Sequence, residues 1–251
     1  MNAILPLLAT LFAAPAAAAN AEGQELATKL ATANAGYADM VANIDMRLAD
    51  AKGREAVRVL RMSVLEREGG DYSLLEFQSP ADLKGMVLLS HPGKDTDQQW
   101  LYLPALDRTQ RITSGRISSS FGGSEFAYED MTSISVDKHS WTLLEPAACG
   151  EAQCTRLQAE PRYEGSGYQR RVLWLSDDSR RLEHVDFYGR DGAHQKTLTY
   201  DDYVEVTQGV WRARDWTMVN HRTQRKTVLH FDQIALGNGL TVAEFSPEVL
   251  D

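Results

Sequence analysis

The residues of this chain that could do chemistry are few and widely separated. Its 251 residues include six histidines, and none has the HExxH or HxH spacing of a metal-binding pair. Ser124 lies in Gly-Gly-Ser-Glu-Phe, which lacks the final glycine of the GxSxG nucleophile elbow and makes it a weak nucleophile candidate. We therefore expect no catalytic residue, no metal site and no cofactor, and a function other than catalysis.

The two cysteines, Cys149 and Cys154, are separated by four residues in a segment that reads as a turn. A redox centre normally uses a CxxC pair at the start of a helix, and the flanking sequence offers no further metal ligands. In an oxidising compartment, a pair at this spacing should form a local disulfide. Because the closed loop is short, the bridge contributes at most about 2 kcal/mol to the free energy of unfolding.

The first nineteen residues have the composition of an export signal. Residues 1–12 are mostly apolar, and Ala17-Ala18-Ala19 supply the small side chains that signal peptidase requires, although no Lys or Arg precedes them. The apolar run falls short of the roughly 20 residues of a membrane-spanning helix. No cysteine for lipidation stands at the cleavage point. We predict a signal peptide over 1–19 and a mature periplasmic protein over 20–251.

The charge of the chain limits its partners. The net charge is -9, whereas binding to nucleic acid requires a basic face. The same charge disfavours tight, non-specific adhesion to anionic membranes. No Pro/Ser-rich linker, repeat or low-complexity tract divides residues 20–251, so we expect a single domain and a monomer.

Hydrophobic periodicity predicts one helix followed by many strands. Leu26 and Leu30 recur at helical spacing, which indicates a helix over about 23–38. Beyond it, apolar and polar residues alternate in runs separated by turns, beginning with a hairpin around Lys52-Gly53. About ten such strands in consecutive hairpins indicate a mainly β protein of the α+β class, with a large antiparallel sheet.

The strand pattern breaks in the middle of the chain. Residues 114–124 are rich in Gly and Ser, yet large apolar side chains occur at Phe121, Phe126, Tyr128 and Met131. A flexible backbone with bulky apolar side chains suits a lid over a hydrophobic cleft. A surface loop whose aromatic residues plug the core would have the same composition, so both interpretations stay open.

Three motifs resemble those of the outer-membrane lipoprotein-sorting-protein branch of the LolA/LolB-like periplasmic carrier superfamily. The resemblance extends from about Tyr37 to the C-terminus. It implies an incomplete, curved antiparallel β-barrel wrapped around an N-terminal helix, with a short helical or loop lid over an apolar cavity. The motifs are Ser79-Pro-Ala-Asp-Leu-Lys-Gly85, Trp100-Leu-Tyr-Leu-Pro104 and Phe121-Gly-Gly-Ser-Glu-Phe-Ala-Tyr-Glu-Asp-Met131, and Lys196-Thr197 also matches.

The resemblance implies a carrier that binds lipid or lipoprotein acyl chains and moves them between the inner and outer membranes. An RND-type exporter and an outer-membrane acceptor would be its partners. Burial of an acyl chain contributes about 0.8 kcal/mol per CH₂, so an apolar lining is sufficient to hold it. We expect that lining to comprise Leu75, Phe77, Trp100, Tyr102, Phe121, Phe126, Tyr128, Met131 and Phe187. We expect Arg108, Arg111 and Arg116 to contact a headgroup or the lid.

The chain departs from the lipoprotein chaperones of this superfamily at one position. It has no close match to the early strand arginine with which those chaperones hold their lid shut. Arg61, Arg108 and Arg111 are the candidates to replace it. This departure argues against lipoprotein cargo more than it argues against lipid cargo.

Two other classes of function stay open. A periplasmic lipid-sensing regulatory protein would share the fold, as anti-sigma-pathway regulators do, but would carry a further domain for its partner. A hydrolase would need a nucleophile and a base brought together by the fold, with Ser124 as the best available nucleophile.

Overall fold

The computed structural model describes residues 13–33, 35–178 and 181–250, so residues 1–12 of the predicted signal peptide lie outside it. One helix, α1 (Ala13–Ala33), precedes thirteen strands. These are β1 (Asp39–Ala49), β2 (Glu55–Leu65), β3 (Tyr72–Ser79), β4 (Val87–His91), β5 (Gln98–Leu103), β6 (Arg108–Ile112), β7 (His139–Cys149), β8 (Ala152–Pro161), β9 (Tyr168–Ser176), β10 (Leu182–Gly189), β11 (His194–Thr207), β12 (Val210–Asn220) and β13 (Arg225–Leu236).

All thirteen strands belong to one antiparallel sheet. Each strand pairs with its neighbour in sequence, except that β1 pairs with β13 near the middle of the sheet and β6 and β7 form its two edges. The sheet is therefore curved and open, with a gap between two strands that follow each other in the chain. The predicted fold class, an incomplete antiparallel barrel with one leading helix, is confirmed.

Alternation of apolar and polar side chains places one face of the sheet in the core. In β1, Met40, Ala42, Ile44, Met46 and Leu48 are buried, and they alternate with less buried residues. The predicted hairpin forms between β1 and β2. Its turn is closed by the Asp50 carboxylate, which accepts hydrogen bonds from the amides of Lys52 and Arg54 at 2.9 and 3.0 Å.

Helix α1 begins and ends earlier than the sequence indicated. It stops at Ala33, because Gly36 and Ala38 adopt positive φ angles of 92° and 62° that a helix cannot accommodate. The Glu66 carboxylate fixes this bend by accepting hydrogen bonds from the amides of both residues. Within the described ranges, no helix is long and apolar enough to cross a bilayer.

Helix α1 packs against β7 and β8 at one edge of the sheet. The approach is closest at Gly23, where a Cβ would lie 2.8 Å from the Cα of Thr142, so only glycine fits there. Asn20 accepts a hydrogen bond from the Thr142 hydroxyl, while Ala27 and Leu26 reach the main core.

The main hydrophobic core covers one face of the sheet, which we call the inner face. Its largest fully buried side chains are Phe77, Phe121, Phe126, Ile44, Met46, Leu60, Leu75, Leu88, Leu157 and Met218. A second, smaller cluster lies on the outer face of β3–β5 and contains Leu89, Phe245 and Leu250. Two C-terminal 3-10 turns, Val242–Phe245 and Pro247–Leu250, cover this second cluster.

The disulfide predicted from the cysteine spacing is present. Cys149 ends β7 and Cys154 lies in β8, with 5.8 Å between their Cα atoms. The bridge therefore closes the hairpin between these two strands.

Candidate functional site

The segment that links the two edge strands, residues 113–138, lies against the inner face. Within it, Ser120 and Ala127 form a bridge pair, and the Phe121 amide donates to the Phe126 carbonyl at 2.8 Å. We call residues 120–127 the closing hairpin. The side chains of Phe121 and Phe126 are 0% and 1% exposed, so the hairpin carries its aromatic residues into the main core.

The tip of the closing hairpin requires glycine. Gly122 and Gly123 have φ angles of +56° and +75°. A Cβ on Gly122 would lie 3.0 Å from both Arg58 Nη1 and Phe77 Cζ, so the backbone is pressed against these two side chains. The Phe121 ring packs 5.5 Å from the Phe77 ring.

Below the hairpin, the 3-10 turn Tyr128–Asp130 forms what we call the base. The Arg171 guanidinium lies 3.4 Å from Glu129 Oε2 and 3.3 Å from Asp130 Oδ1, and all three side chains are at most 4% exposed. Tyr168 donates to Asp130 Oδ2 at 2.8 Å. A buried arginine shared by two carboxylates holds this turn to β9.

Further donors converge on Glu129. The hydroxyls of Tyr163 and Ser166 donate to Oε2 at 3.0 and 2.7 Å, and the Gly167 amide donates to Oε1 at 2.7 Å. Burial raises the pKa of Glu129, against the opposing effect of Arg171. All the carboxylates of this base network come from the 113–138 segment, while nearly all the donors come from the sheet and the β8–β9 loop.

The closing hairpin has its own acidic attachment at Glu125. Its carboxylate accepts from Asn220 at 2.7 Å and pairs with the Arg225 Nε at 3.0 Å. Its amide donates to Thr227 at 3.0 Å, and its carbonyl accepts from Lys196 Nζ at 2.7 Å. The Arg225 side chain is 45% exposed and that of Glu125 is 8% exposed, so the pair joins a buried carboxylate to an arginine at the rim of the sheet.

The arginine at the hairpin tip is Arg58, which the sequence analysis did not select. It lies two residues before the fully buried Leu60 on β2, and therefore on the inner face. Its Nη1 is buried and has no hydrogen-bond partner within the described ranges. Burial lowers the pKa of Arg58, and Asp82 opposes the effect.

The arginines expected at the lid or headgroup lie elsewhere. Arg61, Arg108, Arg111 and Arg116 are all exposed. Arg61 stands on the face of β2 opposite Arg58 and Leu60, because side chains alternate along a strand. Arg58, which is buried against the tip of the closing hairpin, is therefore a further candidate for the lid arginine beside Arg61, Arg108 and Arg111.

The structure brings together seven of the nine predicted lining residues and separates two. Trp100 and Tyr102 belong to the second cluster on the outer face, because Gln99 and Leu101 occupy the inward positions of β5. The other seven are in or against the main core: Leu75, Phe77, Phe121, Phe126, Tyr128, Met131 and Phe187.

A small polar cavity of about 30 Å³ lies beside the base. His139 Nδ1 lies 2.9 Å from the Ser135 carbonyl, so Nδ1 carries the proton and Nε2 presents a lone pair. His139 Nε2 and Arg171 Nε are buried without hydrogen-bond partners in the described part of the chain, and both residues line the cavity. The volume suits one or two water molecules and is far too small for an acyl chain.

The Ser124 hydroxyl stabilises the turn in which it lies. Its hydroxyl donates to the Phe121 carbonyl at 2.7 Å and accepts from the Phe126 amide at 3.2 Å, inside the same turn. Among the residues that the structure describes, its hydroxyl has no histidine as a hydrogen-bond partner. This geometry removes the best nucleophile candidate for a hydrolase.

Three histidines that are scattered in the sequence meet on the outer face. His194 and His221 each place Nε2 within 3.0 Å of the Thr197 hydroxyl, and His184 lies near Asp186. In the part of the chain that the structure describes, no group of three or more His, Cys, Asp or Glu side chains is arranged to hold a metal ion.

Known structures share this architecture. A candidate outer membrane lipoprotein-sorting protein domain from Vibrio parahaemolyticus has 36% identity over 92% of this chain and 99% of its own, with a TM-score of 0.89. A DUF1329 family protein from Desulfovibrio piger is 24% identical over 93% of this chain and 99% of its own, with a TM-score of 0.85. A LolA superfamily protein from Nitrosomonas europaea is 18% identical over 90% and 98%, with a TM-score of 0.74.

A family model described as "Uncharacterized protein" matches residues 69–251, and no curated protein matches the chain. The high TM-scores show that these structures share the overall fold of this chain. Because 36% of residues are identical over nearly the full length of both chains, the protein belongs to the family of the outer membrane lipoprotein-sorting protein domain, and it shares its fold with the LolA superfamily protein.

Proposed function

We propose that this protein is a periplasmic carrier that takes lipid or lipoprotein acyl chains into the space that the closing hairpin now fills. The observation that carries the proposal is the insertion of Phe121 and Phe126 into the core from a loop across the gap of an open sheet. A dozen methylenes would contribute about 10 kcal/mol on burial, which is enough to offset displacement of two aromatic rings.

The two attachments differ in how deeply their ion pairs are buried, and this difference favours opening at the hairpin rather than at the base. The base is held by a buried arginine shared between Glu129 and Asp130, and breaking such a network leaves an uncompensated charge in the interior. Glu125 is held at the rim by the half-exposed Arg225. Opening of the hairpin would carry the buried Glu125 carboxylate out into water and leave Arg225 in water, so neither charge would remain uncompensated in the interior.

A periplasmic location is supported by the contacts of α1. Contacts of α1 with the sheet and its core are made beyond Ala19 by Asn20, Gly23, Leu26, Ala27 and Leu30. Cleavage after Ala19 would therefore preserve them. A disulfide also fits an oxidising compartment. As in the family resemblance, we propose an RND-type exporter as donor and an outer-membrane protein as acceptor.

The test compares two fully buried phenylalanines, Phe121 on the closing hairpin and Phe245 in the second cluster. Phe121→Asp should leave the protein folded, because an open hairpin exposes the new charge to water. It should weaken binding of a fluorescent fatty acid by at least tenfold, because the displaced hairpin would then cover the acyl chain with a charged side chain. Phe245→Asp should unfold the protein, because the carboxylate stays buried.

Both variants are measured by thermal unfolding and by fatty-acid binding. Equal loss of fold in Phe121→Asp and Phe245→Asp would show that the hairpin is a fixed plug of the core. Wild-type affinity in a folded Phe121→Asp protein would show that the hairpin does not line the binding space. Either result would contradict the proposal.

A further inference from the structure

We infer that the cargo carries an anionic headgroup, and that this headgroup binds Arg58 and Arg225 in place of Glu125 when the closing hairpin opens. The inference rests on the proposed carrier function. It concerns the rim of the sheet, where the charged end of an amphiphile would remain while its acyl chain enters the core.

Two guanidinium groups flank the tip of the closing hairpin. Arg225 donates to the Gly123 carbonyl at 3.1 Å, and Arg58 Nη2 lies 3.6 Å from the position a Cβ on Gly123 would take. Arg58 Nη1 is buried with no hydrogen-bond partner in the described part of the chain. The closed state therefore leaves one strong donor at this point unsatisfied.

The other donors at the rim are satisfied by acceptors that the hairpin itself provides. Asn220 and Arg225 bind the Glu125 carboxylate, and Lys196 binds the Glu125 carbonyl. When the hairpin leaves, these donors lose those partners together. A group with several acceptor oxygens and a negative charge can replace them, whereas an uncharged headgroup leaves part of the set unpaired.

The charges at the rim favour an anion once the hairpin is open. Arg58, Lys196 and Arg225 then stand against Asp82, which is the acidic neighbour of Arg58. Lys196 also lies 4.0 Å from Asp130, but that carboxylate is already paired with Arg171. The hairpin in its closed position thus mimics such a cargo, with aromatic rings in the core and a carboxylate at the rim.

The experiment compares amphiphiles with the same twelve-carbon chain and different headgroups. Displacement of the uncharged dye N-phenyl-1-naphthylamine from the full-length protein gives the affinities of dodecanoate, dodecyl phosphate and uncharged monolaurin. We expect the two anions to bind about tenfold more tightly than monolaurin, as one or two charge-assisted hydrogen bonds allow. Acetate and inorganic phosphate should not displace the dye, since they lack a chain.

Arg58→Gln and Arg225→Gln should each reduce the ratio of anion to monolaurin affinity, and the double variant should bring it close to one. Arg222→Gln is the matched control, because Arg222 pairs with Asp191 at the surface beside the same strands. It should leave the ratio unchanged.

Equal affinity of the wild-type protein for charged and uncharged amphiphiles would overturn the headgroup inference and leave the carrier function standing. An unchanged ratio in the folded double variant would also overturn it. Failure of every twelve-carbon amphiphile and of the dye to bind would overturn the carrier function, and the headgroup inference with it.

Discussion

The base and the closing hairpin belong to one segment, but they are attached to the sheet in different ways. At the base, Glu129 and Asp130 share the guanidinium of Arg171, which is 3% exposed. At the hairpin, Glu125 pairs with Arg225, which is 45% exposed. Electrostatic attraction is strong where water is excluded and weak where it is not. One end of the segment is therefore fixed, and the other can be released.

This difference separates the two interpretations of the segment that the sequence left open. The plug and the lid are neighbouring parts of the same chain. The base is part of the core, and we propose that the hairpin is the part that a ligand displaces.

The largest effect should come from the base. Arg171→Met leaves two buried carboxylates without their cation, and we expect the free energy of unfolding to fall by about 3 to 5 kcal/mol. The measurement is urea denaturation. Arg170→Met is the control, because Arg170 stacks on Tyr188 on the outer face, and it should cost less than about 1 kcal/mol. Similar losses of unfolding free energy in both variants would show that Arg171 stabilises the fold no more than a surface arginine does.

The second prediction concerns how the protein loses stability at low pH through His139, which lies beside the base. Burial lowers the pKa of His139 to about 4, so the folded state keeps this imidazole neutral while the unfolded state protonates it near pH 6.5. The unfolded state therefore binds more protons between these values, and stability falls as the pH falls from 6.5 to 4. The expected loss is about 2 to 3 kcal/mol.

The groups around His139 act in both directions. Arg171 and Lys138 lower its pKa further, and Asp97 raises it. Burial raises the pKa of Glu129, so the folded state takes up a proton there more readily than the unfolded state. This contribution stabilises the folded protein in acid and opposes the trend. His139→Asn isolates the contribution of the histidine. Urea denaturation at pH 7 and pH 4.5 should show a smaller acid loss in the variant, and an identical loss would contradict the assignment.

The third prediction concerns a feature outside both regions. Reduction of Cys149–Cys154 should lower the free energy of unfolding by at most about 2 kcal/mol, because the closed loop is short. Thermal unfolding with and without reductant measures the loss. Dye uptake should not change, and faster uptake on reduction would mean that the hairpin between β7 and β8 takes part in opening.

The smallest effect on stability should come from the closing hairpin. Glu125→Gln removes a rim charge pair and should cost about 1 kcal/mol. The same change should accelerate uptake of N-phenyl-1-naphthylamine, because it loosens the hairpin. A loss as large as that of Arg171→Met, or unchanged uptake, would mean that the base and the hairpin are attached equally.

The sequence predicted the sheet well because alternation and turn residues are local signals. It missed β8, in which the inward positions include the small Ala159 and the partly polar run Thr155-Arg156 gives little contrast. The end of α1 was also misplaced, since the bend depends on Glu66, thirty residues beyond Gly36.

The site was only partly predictable, because alternation does not say which set of side chains faces inward. Trp100 and Tyr102 look like lining residues but lie beneath the C-terminal turns, a contact that no local pattern shows. Arg58 could have been found by extending the inward series of Leu60 and Met62 back by two residues. A charged residue at an inward position of a strand is the signal that marks it.

The gap between β6 and β7 has a mechanical consequence. These edge strands are bridged by the 113–138 segment and not by a ladder of hydrogen bonds, while β1 and β13 form a continuous seam near the middle of the sheet. The two halves of the sheet can therefore move apart by bending at the β1–β13 pairing. In the proposed carrier, spreading of the two halves would break no strand pairing, so acyl chains of different bulk would break only the attachments of the 113–138 segment, which re-form on closure.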